Sequence, residues 1–181
     1  MSDHLINIDE FKELTRAVSV HVEEREVMAF VDECEQMYII PAIGYGLFKR
    51  LVTADCQGMT ADERIMLDGG EWQAEAGGGP CGCGARDGIR YCKGVRSALA
   101  YFVYAKMLMA DGAIVARSGA MRHNDAYASH IDPTKVKQYN DVMDVAESYL
   151  GGVAEFIKFK MAGDGAKKVR GTRCKIHAIG D

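Results

Sequence analysis

The chain lacks most of what would announce a chemistry. It has no CxxC pair, no phosphate loop, no dinucleotide fingerprint, no paired carboxylates in an apolar setting and no internal repeat. It has only 3 prolines in 181 residues, and its longest apolar run, ALAYFVYA at 98–105, stops at Lys106. That run falls far short of the roughly 20 residues a membrane-spanning helix needs, so no membrane segment is expected. The opening MSDHLINIDE carries acids where a secretory signal would be basic and then apolar, which predicts residence in the cytoplasm and reduced thiols. A composition 48% hydrophobic and 27% charged lies within the globular range and far from the signature of disorder.

Net charge is −4 and unevenly spread. Residues 163–181 carry Lys167, Lys168, Arg170, Arg173 and Lys175 against Asp164 and Asp181, net +3, which leaves −7 for residues 1–162. An acidic body repels a polyanion and argues against a dedicated nucleic-acid binder. The division predicts a folded unit over 1–162 and a basic, flexible tail over 163–181.

Helical signals dominate what is present. Asn7 as N-cap, Glu10 three residues on, and Ile6 with Phe11 as a hydrophobic staple open the first helix. A second is predicted from about Val22 to Ile40, with Val27, Phe30 or Val31, Cys34 and Tyr38 inward and Glu23, Glu24 and Glu26 in its first turn. Pro41 is expected to end it, and Gly44 to turn the chain into a short helix around LFKRLV. Thr60 and Glu63 form another capping box, opening a helix that stops at Asp68-Gly69-Gly70.

A helix from about Tyr91 to Asp111, apolar nearly all round, is predicted to be the enclosed central element. Residues 113–131 lack a helical period and predict an extended arm or a hairpin turning at Ser118-Gly119. Pro133 then starts the last helix, with a seam of Val136, Tyr139, Met143, Ala146, Leu150, Val153 and Ile157. Gly151 and Gly152 interrupt that seam and predict a kink or a close crossing. The fold class is therefore mainly α: a single-domain bundle of five to six helices around a buried central helix, with an arm at about 113–131.

Cysteine supplies the sharpest chemical question. Cys81, Cys83 and Cys92 fall in or beside a glycine-rich loop at 74–88, and Cys174 or His177 could complete a tetrahedral zinc site. Zinc pairs usually leave two to four residues between ligands, whereas Cys81-Gly82-Cys83 leaves one, so a loop or hairpin tip is the favoured reading and a small metal-binding module the alternative. Arg86, Arg90 and Lys93 would favour a reactive thiolate, but no thioredoxin-type unit accompanies them. Ser118, His123 and Asp125 supply hydrolase residue types on an extended segment that does not converge on one point. GYGLFK from Gly44 follows a helix where a nucleotide fingerprint follows a strand, and GDGAKK from Gly163 lacks the spacing of a phosphate loop. No catalytic residue and no cofactor is assigned.

The stretch YIIPAIGYGLFKRL (Tyr38 to Leu51) resembles the small helical head-tail connector, or adaptor, proteins of tailed phages and prophages. The resemblance continues through IMLDGGE, YFVYAKML, SGAMRHNDAYAS and the closing helix, over about residues 8 to 160. It implies a non-enzymatic virion assembly subunit that docks on the portal protein, forms a homo-oligomeric ring extending the DNA channel, and receives the next tail or completion protein. Such a subunit would reside in the host cytoplasm during assembly and then in the virion, meeting DNA only as it passes through the channel. It further implies that the arm makes subunit contacts, with Arg117, Ser118, Gly119, Met121, Arg122, His123 and Tyr127 as partner-binding residues and Pro41 and Gly44 as the structural turn. An acidic helix and a basic tail also suit the head-to-tail contact from which rings close.

Overall fold

The computed structural model describes residues 4–16, 23–53, 58–74, 88–110, 113–116, 119–122 and 133–162. Expectations for Cys81, Cys83, Arg117, Ser118, His123, Tyr127 and the tail from Gly163, including Cys174 and His177, fall outside them. Side chains of the arm strands likewise lie outside the description.

The fold is mainly α. Helix α1 (Ile8–Leu14) opens on the expected capping box: the Asn7 side chain accepts from Asp9 and Glu10 N–H, and the Glu10 carboxylate accepts from Asn7 N–H. Ile6 and Phe11, the two staple residues, are both fully buried. Helix α2 (Glu24–Cys34) buries Val27, Val31 and Cys34 and leaves its acidic first turn exposed.

Pro41 does not end this helix. The rod widens into a π turn at Glu35–Ile39 and resumes as α3 (Ile40–Ile43), with Pro41 in its first turn. The Ile40 N–H reaches back five residues to the Glu35 carbonyl. A proline disrupts a regular helix because it lacks an N–H and its ring meets the carbonyl four residues back. The wide turn immediately upstream relieves that clash by changing the register. Termination falls instead to Gly44, at φ +86° in the left-handed region, whose N–H bonds the Ile40 carbonyl at 2.8 Å.

Helix α4 (Tyr45–Thr53) follows at once and buries Leu51. Helix α5 (Ala61–Asp68) begins at the predicted Thr60/Glu63 capping box. The Thr60 N–H and hydroxyl hold the Glu63 carboxyl below its usual range, and Arg50 pairs with it.

Beyond α5, where a loop or hairpin tip was expected, the chain forms a hairpin. Strands β1 (Gly70–Ala74) and β2 (Gly88–Cys92) pair antiparallel, with Trp72 opposite Arg90 and Ala74 opposite Gly88. Residues 75–87 thus connect a hairpin, and Tyr91 and Cys92 belong to a strand where a helix start was expected. Alternation decides which face is buried: Trp72 and Cys92 point inward, while Glu71, Gln73, Ile89 and Tyr91 face outward. Trp72 packs edge-on against Phe156 at 5.3 Å and beside Phe159 at 5.0 Å.

Helix α6 (Gly94–Ala110) is the central element. Val95, Ala98, Leu99, Ala100, Phe102, Val103 and Ala105 are all buried, and its neighbours include α1, α2, α5 and α7. Strands β3 (Ala113–Ala116) and β4 (Gly119–Arg122) then form a second antiparallel hairpin in the predicted arm. Ala116 pairs with Gly119, so the two-residue connection is Arg117-Ser118, one position earlier than the expected Ser118-Gly119.

Helix α7 (Pro133–Ala162) starts at Pro133 and runs unbroken through Gly151 and Gly152. Its deepest residues are Val142, Ala146, Val153 and Phe156, which corrects the predicted seam: Val136 is 39% exposed, and Val142 and Phe156 were not expected inside. The buried stripe is rotated because α7 packs on α6 along one flank and on Trp72 along the other. The predicted close crossing occurs at Gly152, where an added Cβ would stand 3.7 Å from the Cys92 Cβ.

Candidate functional site

The densest grouping of chemically active side chains lies where the N-terminal segment meets the π turn. On α2, inward positions fall at Val27, Val31 and Cys34, and the next one places Glu35 against the core with 2% exposure. A carboxylate in that setting must find partners. Glu35 Oε1 accepts the Leu5 N–H at 2.8 Å, and Oε2 lies 2.9 Å from His4 Nδ1. Burial pushes the Glu35 carboxyl above its ordinary 4.5, opposed by those two hydrogen bonds and reinforced by the neighbouring Asp32 charge.

The segment is gripped from its other side as well. Arg96 Nε donates to the Leu5 carbonyl at 3.0 Å, while its Nη1 reaches Asp68 at 2.8 Å and Glu10 at 3.3 Å. Residue 5 therefore has its N–H held by the π turn and its carbonyl held by α6, and this fixes Leu5 and Ile6 in the core.

A cleft of about 530 Å³ opens beside Glu35, walled by His4, Asp32, Gln36, Ile40, Tyr45 and Phe48. Gln36 Nε2 donates to Asp32 Oδ1 at 3.0 Å. One ligating atom each from His4, Asp32 and Glu35 lies within 4.8 Å of the others, the one such group found among the described residues. Met37 and Tyr45 lie exposed near the same turn, at 53% and 64%.

The sulfur chemistry is muted where it is described. Cys34 is fully buried, and burial lifts its thiol to about 12 against the opposing pull of Lys106, so it stays protonated at neutral pH. Cys92, one of the three candidate zinc thiolates, lies buried on β2 with Sγ 3.4 Å from the Ile65 carbonyl. Burial raises its thiol too, against hydrogen bonds from backbone N–H groups.

Of the expected partner-binding residues, Gly119, Met121 and Arg122 sit on β4. Pro41 and Gly44 border the cleft-forming turn, with Gly44 alone acting as the stop. Sequence reasoning did not find the His4–Asp32–Glu35 group. A signal existed for one member: Glu35 occupies the helical position after Val31 and before Ile39, both apolar and both buried. Nothing in the spacing connects His4 to position 35.

No helix among the described residues is long and apolar enough to cross a membrane. No curated protein and no solved structure matches the chain. A protein-family profile matches residues 39–160, which covers α3 to α7 and both hairpins and leaves His4, Asp32 and Glu35 upstream. Because that match spans about two thirds of the sequence, the chain belongs to DUF6712, a family of unknown function.

Proposed function

We propose that this protein is a structural assembly subunit of the head-tail connector type, working through contacts with copies of itself and with a portal-like ring. The observation that carries the reading is the β3–β4 hairpin, set between the central helix α6 and the long helix α7. Its strands pair with each other and, among the described elements, pack extensively on no helix. A hairpin of two paired strands has outer strand edges that another chain can cover. The helical order around Pro41 and Gly44 and the acidic exposed start of α2 accord with the same reading.

In this role Gly119, Met121 and Arg122 contribute to the interface from β4, flanked by Arg117, Ser118, His123 and Tyr127. Ring closure needs a patch on each subunit that differs from the patch it meets. Light scattering on the purified chain, alone and mixed with portal protein, tests the proposal. A ring or a portal complex is the expected result, lost when residues 113–122 are replaced by a short Gly-Ser link. A monodisperse monomer that ignores portal protein would sink it.

A further inference from the structure

We infer that His4, Asp32 and Glu35 form a binding site for one divalent transition-metal ion at the mouth of the cleft. The geometry is the first ground. Metal–ligand bonds of about 2.0–2.2 Å place neighbouring ligand atoms roughly 3 Å apart. His4 Nδ1 and Glu35 Oε2 stand at 2.9 Å in a hydrogen bond whose proton the ion would displace to solvent, and the Asp32 carboxylate completes a group that fits within 4.8 Å. Asp32 is exposed, so its carboxylate is not held by the core.

The supporting hydrogen bonds are the second ground. The Leu5 N–H holds Glu35 Oε1 while Oε2 meets His4 Nδ1, and the Gln36 side chain holds Asp32 Oδ1. Outer partners of this kind orient metal-binding carboxylates. Charge balance is the third: two carboxylate ligands bring a charge of −2, which a divalent ion neutralises, so the ion offsets the penalty of keeping Glu35 ionised at 2% exposure.

The donor set selects the ion. One nitrogen and two carboxylate oxygens suit Mn²⁺, Co²⁺ or Zn²⁺ better than Ca²⁺ or Mg²⁺, which prefer all-oxygen shells. Three protein ligands facing a cleft leave coordination positions for water or an incoming acidic group. The ion would join the N-terminal segment to the π turn, two parts of the chain 28 residues or more apart in sequence.

Manganese is the best probe, because the six cysteines attract zinc and bind Mn²⁺ poorly. The untagged full-length chain, stripped with chelator, is titrated with Mn²⁺ and followed by electron paramagnetic resonance of the free ion. One saturable site per chain is expected. Asp32→Asn weakens it about tenfold or more and His4→Ala abolishes it, while Cys81→Ser with Cys83→Ser leaves it intact. Asp32 is exposed, so far-UV circular dichroism of its variant should match wild type even if Glu35→Gln disturbs the core. Absence of a stoichiometric site, or a site that survives Asp32→Asn and His4→Ala unchanged, overturns the inference.

Discussion

Glu35 ties the N-terminal segment to the π turn through His4 and Leu5. Its carboxyl titrates above the ordinary 4.5 because burial disfavours the charge. The native state therefore holds that proton more tightly than the unfolded chain, and stability contributed by Glu35 falls as pH rises from 4.5 through the native value. Each unit of separation corresponds to about 1.4 kcal/mol. Glu35→Gln keeps an acceptor for the Leu5 N–H and removes the titration. Urea midpoints of the metal-free proteins, measured from pH 4.5 to neutrality, should show the variant gaining on wild type as pH rises; a constant difference would contradict this.

Among the elements, the junction of α5 with α6 is built from two glycines in left-handed conformations. A Cβ on Gly94 (φ +82°) would fall 2.5 Å from the Gly69 nitrogen and the Leu67 carbonyl oxygen, and one on Gly69 (φ +92°) would fall 2.7 Å from the backbone of Cys92 and Lys93. Gly94→Ala should therefore destabilise by about 3 kcal/mol or more, through both strain and backbone collision. Gly151 is the control: it is helical, exposed and has nothing within 4 Å of an added Cβ. Gly151→Ala should stabilise by roughly 0.5–1 kcal/mol, read as a rise in thermal midpoint. The same two regions show what the sequence could say about elements. Both capping boxes were legible because each is a local exchange of hydrogen bonds between residues three apart. Pro41 misled because its effect depends on the turn before it, and a π turn has no marker as local as a capping residue. A hairpin tip was one of the readings for the glycine-rich stretch, but the strand bounds were not legible, because the alternation of Ile89, Arg90, Tyr91 and Cys92 has meaning only once Trp72 is opposite.

Over the whole molecule, one continuous core gathers α1, α2, α4, α5, α6 and α7, and a smaller cluster centred on Trp72 and Phe156 joins the first hairpin to α7. Trp72 is the only tryptophan, so its fluorescence reports the contact between that hairpin and α7. Since Gly152 abuts Cys92 and Phe156 abuts Trp72, the hairpin should unfold with the bundle. Fluorescence and circular dichroism curves in urea should superimpose; an earlier fluorescence transition would show the hairpin opening separately. At this scale the central position of α6 was readable from its all-round apolar character, whereas the Glu35–His4 and Arg96–Leu5 contacts were not, since they span 31 and 91 residues and leave no periodic trace.

The π turn amounts to one surplus residue inserted between Cys34 and Ile40. The wide turn absorbs that residue by winding less per step, so the helix beyond it faces nearly the way an uninterrupted rod would. Deleting the exposed Met37 would restore even winding with little change in where Tyr45 and Phe48 stand, and would bring the Pro41 ring against a carbonyl four residues back. The extra residue is thus what lets a proline be carried inside this rod.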